Sequence, residues 1–237
     1  KTKAILICNP NNPTGYLYTR KEMCQIRDLV QAHGLYLISD EVYREFIYTK
    51  QPYISACHLE GIDDNVILVD SVSKRYSECG IRIGALITKN KEVRNAVMKF
   101  CQARLSPPLY GQLVAEASLS TPQEYMAEVY EEYLLRRNFL IDELNKIDGV
   151  YSPTPMGAFY TMVKLPVDDA EKFCQWCLTD FSYEGQTVMM APGSGFYTDP
   201  KEGRNEVRMA YVLNKEDLAK AMVVLRKALE EYNAQEG

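Results

Sequence analysis

The chain has 237 residues, of which 46% are hydrophobic and 25% are charged, and its formal net charge is −5. This composition is that of a globular protein large enough for one or two hydrophobic cores. No apolar run approaches the length of a transmembrane helix, so no membrane partner is expected. A negative chain without a basic stripe is poorly suited to a phosphate backbone, so no nucleic-acid partner is expected.

Three short apolar runs predict buried strands of an α/β sheet, at residues 4–8, 35–38 and 66–69. Each run ends in polar residues, at positions 9–15, 39–43 and 71–74. Ligands of such sheets lie beyond the carboxyl ends of the strands. An amide, a carboxylate, a phenol, hydroxyls and an amine are therefore expected to converge at one edge.

Periodicity and capping residues predict the other elements. Thr19 and Glu22 form a predicted capping box for a helix that ends at Gly34. A strand at 85–88, a helix at 91–105 and a helical stretch to residue 120 follow. A helix starting at Thr121-Pro122 and ending at Gly149 would be about 40 Å long. The later elements are strands at 158–163, 187–190 and 207–212, and a closing helix from residue 214.

These elements predict an α/β fold with two domains. Residues 1–120 would be part of a large domain with a mixed sheet, residues 121–149 an interdomain helix, and residues 150–237 a small α+β domain. The loop at residues 192–196 is either a lid that closes over a substrate or an ordinary turn.

The cysteines and histidines do not predict a metal site. Seven cysteines, an odd number, favour free thiols in a reducing compartment. Cys174 and Cys177 have the spacing of a redox or metal pair, but they lie in the predicted helix 169–179, and core packing is the better interpretation. His33 and His58 are isolated, which gives no support to a metal centre or a histidine-based triad.

Lys74 is the residue that defines the chemistry, because a lysine amine can form an imine with an aldehyde cofactor such as pyridoxal 5'-phosphate. Taken singly, such a residue is more often a surface charge, a cap or a turn residue. The neighbouring side chains suit the other groups of that cofactor. Ser71, Ser73 and Arg82 could bind its phosphate, and Asp40 could pair with its ring nitrogen. Tyr43 and Asn12 could donate to its ring oxygen.

Four motifs stand out along the chain: Asn9-Pro10-Asn11-Asn12-Pro13-Thr14-Gly15, Ser39-Asp40-Glu41-Val42-Tyr43, Ser71-Val72-Ser73-Lys74 with Arg82-Ile83-Gly84, and Glu206-Val207-Arg208-Met209-Ala210-Tyr211. They occur in the order seen in the class I aminotransferases. The chain resembles the aspartate aminotransferase branch of these fold-type I pyridoxal phosphate enzymes over essentially its whole length.

The resemblance implies a role for each matching residue. Lys74 would hold the cofactor as an imine and then move a proton between the substrate α-carbon and the cofactor, and Asp40 would keep the ring nitrogen protonated. Arg208 would bind the substrate α-carboxylate, with Asn12 beside the substrate. The resemblance also implies a cis bond at Asn12-Pro13. Glu78 departs from the pattern, which usually has an apolar residue there.

The predicted function is therefore transamination by a ping-pong route, with aspartate and 2-oxoglutarate as the expected pair. Alanine and aromatic amino acids stay open, since Arg104 is only a weak candidate for binding a side-chain carboxylate. One alternative is a pyridoxal phosphate-dependent lyase of the same fold. Others are the ligand-sensing domain of a transcription regulator and a non-catalytic fragment.

The resemblance also carries an expectation about length. Relatives of this kind have roughly 400 residues, so the chain is expected to be the C-terminal portion of a cytoplasmic homodimeric enzyme. Part of the cofactor site would then precede Lys1. The isolated chain would bind the cofactor weakly and show no transamination.

Overall fold

The computed structural model of the protein describes residues 1–199 and 201–236. The chain forms two compact units. The first unit contains Lys1–Asn12, Tyr16–Val129 and Met156–Ala158, and the second contains Pro13–Gly15, Tyr130–Pro155 and Phe159–Gly237.

The first unit is built on a four-stranded mixed sheet of strands β1 (Ala4–Cys8), β2 (Tyr36–Asp40), β3 (Val66–Ser71) and β4 (Gly84–Ile87), in that spatial order. β1, β2 and β3 are parallel, and β4 is antiparallel to β3. Cys8 pairs with Asp40, and Asp40 pairs with Val69. The carboxyl ends of the three parallel strands therefore lie at the same edge of the sheet.

Helix α1 (Arg20–His33) connects β1 to β2, and the predicted capping box is confirmed. The hydroxyl of Thr19 accepts from the backbone N–H of Glu22, whose carboxylate accepts from the backbone N–H of Thr19. Gly34 ends the helix in the left-handed region at φ 58°, which glycine adopts readily. Met23 and Val30 of α1 are fully buried against the sheet residues, and each such side chain stabilises the fold by roughly 1.5–3 kcal/mol.

The other helices of the first unit are α2 (Val72–Arg75), α3 (Lys91–Arg104) and α4 (Leu109–Ser118). Asn90 caps α3 by accepting from the backbone N–H of Val93. The predicted break at Pro107-Pro108 separates α3 from α4.

Helix α5 (Gln123–Leu144) is shorter than predicted at both ends. Its 22 residues give a length of about 33 Å. The helix ends before Gly149 because Asn145 makes two hydrogen bonds with the backbone of Ser152, of 3.0 and 2.9 Å, which hold the chain in a turn. Residues Tyr130 to Leu144 of this helix belong to the second unit.

The second unit contains an antiparallel sheet of β5 (Tyr160–Lys164), β6 (Ala191–Pro192) and β7 (Glu206–Ala210), with β7 in the centre. The prediction of a strand at 187–190 is wrong. The hydroxyl of Thr187 donates to the carbonyl of Cys177, and the side chain of Met189 is 83% exposed. These residues therefore lie outside the sheet, and strand pairing begins only at Ala191.

Helices α6 (Ala170–Thr179) and α7 (Lys215–Glu236) complete the second unit. The predicted apolar face of α7 is buried, at Leu218, Met222, Leu225 and Leu229. Cys174 and Cys177 are also buried, and all seven cysteines are free thiols. Burial raises the pKa of Cys174 to about 11 and that of Cys177 to about 12. Both thiols are therefore protonated at neutral pH, as core packing requires.

Two other kinds of feature, a membrane-crossing helix and a metal-binding cluster, are absent from the described residues. None of the helices in the described residues is long and apolar enough to cross a membrane. The same residues contain no group of three or more His, Cys, Asp and Glu side chains placed to hold a metal ion.

The expected cis bond at Asn12-Pro13 is wrong, because the cis peptide bond among the described residues is Asn9-Pro10. Both are Asn-Pro bonds in one short run, and any X-Pro bond tolerates cis. Packing distinguishes them. Asn9 and Pro10 are buried, and a Cβ at Gly157 would come within 2.6 Å of the Pro10 ring. The side chain of Asn9 accepts from Tyr18 and donates to Ile54, whereas Asn12 and Pro13 are partly exposed.

Candidate active site

The three segments predicted to carry the site leave the sheet at the same edge. Residues 9–12 follow β1, Asp40 ends β2, and Ser71 ends β3. The pairing of Cys8 with Asp40 and of Asp40 with Val69 fixes these segments side by side. The segments that contain the predicted amide, acid, phenol, hydroxyls and amine therefore leave the sheet at this edge.

Asp40 is a partly buried carboxyl group whose Oδ1 accepts from the backbone N–H of Val42 at 3.1 Å. Burial raises the pKa of Asp40, and the nearby negative charges of Asp70 and Glu41 raise that pKa further, against the effect of the Val42 hydrogen bond. A carboxylate in such surroundings is stabilised by a nearby cation. Asp40 is thus suited to a protonated ring nitrogen.

Lys74 and Tyr43 lie close together. The Nζ of Lys74 is 6.0 Å from the centroid of the Tyr43 ring, at the limit of a cation–π contact. Tyr43 is buried, with 4% of its surface exposed, and Lys74 lies on the short helix α2 that directly follows β3. The amine and the phenol that the sequence assigned to one cofactor are therefore neighbours.

Cys8 ends β1, where it pairs with Asp40, and its thiol donates to the carbonyl of Pro10 at 3.2 Å. Burial raises the pKa of the Cys8 thiol to about 11, a hydrogen bond with the backbone of Asn12 opposes that shift, and the charge of Asp40 adds to it. Cys8 therefore lies between the segment after β1 and the end of β2. Its thiol is protonated at neutral pH and is not a nucleophile there.

Ser71, Ser73 and Arg82 form the candidate phosphate-binding group. Ser71 caps α2, since its hydroxyl accepts from the backbone N–H of Ser73 at 3.0 Å, and the two hydroxyl oxygens are 2.7 Å apart. The Ser71 hydroxyl also contacts the carbonyl of Ile83 at 2.9 Å, which holds the residue after Arg82 beside it. Adjacent hydroxyls suit phosphate oxygens, and so does a guanidinium, but that of Arg82 donates here to the carbonyl of Cys79 at 2.7 Å.

The backbone of the loop after Lys74 is unusual. Ser77 and Arg82 have positive φ angles of 55° and 60°, which are uncommon for residues other than glycine and concentrate at functional sites. Glu78, the departure from the motif, accepts from the hydroxyl of Ser118 at 2.8 Å. The carboxylate therefore ties this loop to α4, where an apolar residue would make no hydrogen bond.

Arg208 lies in the second unit, at the centre of β7, where it pairs with Met162 and Ala191. Its guanidinium is 4.8 Å from the ring of Tyr160 and 5.2 Å from the ring of Phe196. Phe196 belongs to a 3-10 helix, Ser194–Phe196, in the loop predicted as a lid or a turn. Gly193 donates to Glu206 at 2.7 Å and anchors this loop to β7. Arg104, the weak candidate, ends α3 and is exposed.

Sequence reasoning missed an ion-pair network behind the site. Asp70 lies 2.7 Å from Arg44 and 3.0 Å from Arg75, and Arg75 also lies 3.1 Å from Glu45. Asp70 and Arg75 directly flank the segment 71–74 that carries Ser71, Ser73 and Lys74. The sequence shows these charged residues beside the motif, but only the tertiary structure shows that they form an ion pair.

The donor set at this edge fits pyridoxal 5'-phosphate. That cofactor is usually held by an amine at its aldehyde, an acid at its ring nitrogen and donors at its phosphate. Lys74 would supply the amine, Asp40 the acid, and Ser71 and Ser73 the hydroxyls. The phenol of Tyr43 is beside the amine.

The chain belongs to the class I and II aminotransferase family, whose family model matches residues 1–225. Class I aminotransferases use pyridoxal 5'-phosphate, which agrees with the side chains at the carboxyl edge of the first unit.

Several proteins of known name are similar to this chain in sequence or in structure. The chain is 35% identical to an aspartate aminotransferase of Thermotoga maritima, over 94% of this chain and 55% of the relative. It is 30% identical to aromatic-amino-acid aminotransferase 2 of Thermococcus litoralis, over 98% of this chain and 58% of the relative. The structure matches that of an alanine aminotransferase from Pyrococcus furiosus with a TM-score of 0.84 and 32% identity, covering 97% and 58% of the two chains.

The chain spans about 57% of the length of the curated relatives that it matches. The matches do not bear out the expectation that it is the C-terminal portion of such a protein.

Proposed function

We propose that this protein is a pyridoxal 5'-phosphate-dependent aminotransferase that moves an amino group between an amino acid and a 2-oxo acid by a ping-pong route. The observation that carries the proposal is the arrangement at the carboxyl edge of the first unit. There the Lys74 amine lies 6.0 Å from the Tyr43 ring, and Asp40 ends the neighbouring strand. Membership of the aminotransferase family supports the same reading.

In this proposal Lys74 holds the cofactor through its Nζ and later carries a proton to and from the substrate α-carbon. Asp40 pairs with the ring nitrogen and keeps its proton in place. When bound, the cofactor supplies an electron sink for the carbanion formed at the substrate α-carbon. Tyr43 donates to the ring oxygen of the cofactor. Asn12 donates to the same oxygen and also lies beside the bound substrate.

Phosphate and substrate carboxylate are bound by different groups. Ser71, Ser73 and Arg82 bind the phosphate, which fixes the cofactor at the end of β3. Arg208 binds the α-carboxylate of the substrate, because a guanidinium fork matches the two carboxylate oxygens. This division lets phosphate binding persist while substrates exchange, as a ping-pong route requires.

Aspartate with 2-oxoglutarate is the first substrate pair that we propose. The relatives named above include enzymes for aspartate, for aromatic amino acids and for alanine. The assay must therefore also include alanine and an aromatic amino acid as amino-group donors. A side-chain carboxylate also requires a second cation besides Arg208, and Arg104 is the weak candidate from this chain.

We propose the domain division that the resemblance to fold-type I enzymes implies, although its bounds differ from those of the two compact units. Residues 1–120 are part of the large cofactor-binding domain, residues 121–149 the interdomain helix, and residues 150–237 the small α+β domain. We also propose a cytoplasmic homodimer, in line with the free thiols and the family.

The test combines cofactor binding with turnover. The protein is purified as its natural full-length chain, titrated with pyridoxal 5'-phosphate by absorbance, and then assayed with aspartate, alanine or phenylalanine and 2-oxoglutarate. We expect glutamate to form, and we expect Lys74→Ala to abolish both the covalent absorbance and turnover. Lys50→Ala, a change at an exposed lysine of the same unit, is the matched control and should leave both unchanged.

The alternatives give different results in the same assay. Pyruvate and ammonia from cysteine, without glutamate from any donor, would indicate a lyase. Cofactor binding without turnover of any substrate would indicate a sensing domain. Normal turnover by Lys74→Ala would refute the assignment of the amine.

A further inference from the structure

Glu41 is a charged residue that the proposed chemistry does not use, yet its side chain is completely buried. Its carboxylate accepts four hydrogen bonds. Tyr53 donates its hydroxyl to Oε2, while Ser39 at 3.0 Å, Ser55 at 3.1 Å and the backbone N–H of Ala56 at 2.8 Å donate to Oε1. A group that accepts from four donors and donates to none has the pattern of an ionised carboxylate.

No Lys, Arg or His of the described residues forms an ion pair with Glu41. The neighbouring cation Arg44 is instead bound to Asp70 at 2.7 Å. Burial raises the pKa of Tyr53 above its usual range, and the charge of Glu41 and the hydrogen bond to it raise that pKa further. A buried charge held only by hydrogen bonds is costly, and well-packed apolar residues often serve stability better. Its retention here therefore needs a reason beyond core packing.

The position of Glu41 supplies that reason, since it lies between Asp40 and Tyr43. Its backbone N–H donates to Val69 at 3.0 Å, and its carbonyl accepts from Arg44 at 3.1 Å, which closes the turn that leaves β2. The carboxylate reaches away from this turn to Tyr53, Ser55 and Ala56. It therefore joins the turn to a second segment that ends in the 3-10 helix Ala56–His58.

We propose that Glu41 is a positioning residue, whose buried carboxylate fixes the turn so that Asp40 and Tyr43 meet the ring of bound pyridoxal 5'-phosphate in the correct orientation. Without this anchor the turn loses its connection to Tyr53, Ser55 and Ala56, and both ring contacts move together. A displacement of that kind changes how the cofactor is oriented, and it leaves Lys74 and Arg208 in place. This inference rests on the proposed function.

The test compares Glu41→Gln with Tyr53→Phe. Glu41→Gln keeps the size of the side chain and removes its charge, and Tyr53→Phe removes one of the four donors. Tyr232→Phe is the matched control, because Tyr232 is a buried tyrosine of the second unit that also donates to a carboxylate, that of Asp168 at 3.1 Å. Each variant is measured for the dissociation constant of pyridoxal 5'-phosphate, the circular dichroism induced in the bound cofactor, kcat and KM, and thermal unfolding without cofactor.

For Glu41→Gln we expect a change in the induced circular dichroism and about tenfold weaker cofactor binding, the scale on which hydrogen bonds behind a site act. We expect kcat to fall about 10- to 100-fold because the ring contacts are displaced, while KM for the amino acid changes little. Tyr53→Phe should show the same changes to a smaller extent, and Tyr232→Phe none of them.

Three results would overturn the inference. One is Glu41→Gln with unchanged dichroism and dissociation constant, even if its unfolding temperature falls, because the residue would then serve the fold alone. Another is Tyr232→Phe with effects as large as those of Tyr53→Phe. If Glu41→Gln fails to fold, Tyr53→Phe decides, and unchanged cofactor binding by that variant refutes the positioning role. If the unmodified protein binds no pyridoxal 5'-phosphate, the proposed function itself fails, and this outcome is distinct from the others.

Discussion

The two units hold their candidate binding residues by different means. At the carboxyl edge of the first unit, the candidate Asp40 accepts a hydrogen bond from Val42, and Asp70, the neighbour of Ser71, is paired with Arg44 and Arg75. On β7 of the second unit, Arg208 is flanked by the rings of Tyr160 and Phe196. A ring contact acts on the face of a guanidinium and does not consume its N–H donors.

This difference fits the two tasks that we propose. A cofactor that stays bound is best held by groups whose positions are fixed by directional contacts, because a small displacement of such a group lowers the rate strongly. A substrate that enters and leaves in each half-reaction can bind a guanidinium whose face is oriented by aromatic rings. The predictions that follow test whether the first unit is sensitive to charge and the second to aromatic contact.

The largest effect is expected at Asp40. Asp40→Ala removes the partner of the ring nitrogen, so kcat should fall by about 100- to 1,000-fold, the range for losing one group that stabilises charge in a transition state. The measurement is kcat by steady-state kinetics with saturating pyridoxal 5'-phosphate. Asp142→Ala, at an exposed acid of α5, is the control. A kcat within a factor of two of that control would contradict the role of Asp40.

The next effect concerns the ion-pair network of the first unit. Asp70→Asn keeps the shape of the side chain but removes both ion pairs, and the side chain of Asp70 is only 12% exposed. We expect the free energy of unfolding to fall by about 2–3 kcal/mol, because two partly buried guanidinium groups lose the Asp70 carboxylate and keep only Glu45 as a charged partner among the described residues. Urea denaturation of the cofactor-free protein measures the change.

Asp63→Asn is the matched control for this change. Its ion pair with Lys89 is exposed, with side-chain exposures of 47% and 73%, so water screens it. The stability of that variant should change much less. Equal losses in the two variants would mean that burial does not strengthen the network around Asp70.

A smaller effect is expected when the fork of Arg208 is removed. Arg208→Lys keeps the positive charge but loses bidentate binding, which should weaken the transition state for carboxylate substrates by about 2 kcal/mol in kcat/KM. Arg204→Lys, at an exposed arginine near the same strand, is the control. Unchanged kcat/KM for aspartate in Arg208→Lys would remove Arg208 from the substrate site.

The sequence predicted the parts of this molecule that local rules govern. The capping box at Thr19 and Glu22, the left-handed Gly34 and the apolar face of α7 follow from spacing alone, and all are present. The strand ends that carry Asp40 and Lys74 were also predictable, because parallel strands place their polar ends at one edge.

Other features depend on tertiary contacts that no local pattern encodes. The choice of Asn9-Pro10 over Asn12-Pro13 as the cis bond follows burial against Gly157. The end of α5 is set by Asn145 and its bonds to Ser152, seven residues along the chain. Glu41 reads as a polar residue after a strand, and only its donors at positions 53–56 show that it is buried.

The smallest predicted effect concerns Phe196, and it separates the aromatic contact from the charge itself. Phe196→Leu keeps an apolar side chain in the loop but removes the ring that lies 5.2 Å from the Arg208 guanidinium. A cation–π contact at a partly exposed site contributes about 0.5–1 kcal/mol, so KM for the amino acid should rise about two- to fivefold with kcat nearly unchanged. Phe100→Leu, at a phenylalanine of the first unit that is 76% exposed, is the control and should leave KM unchanged. If Phe196→Leu lowered kcat instead, the ring would act on the reacting atoms, and the view that aromatic contacts only orient Arg208 would be wrong.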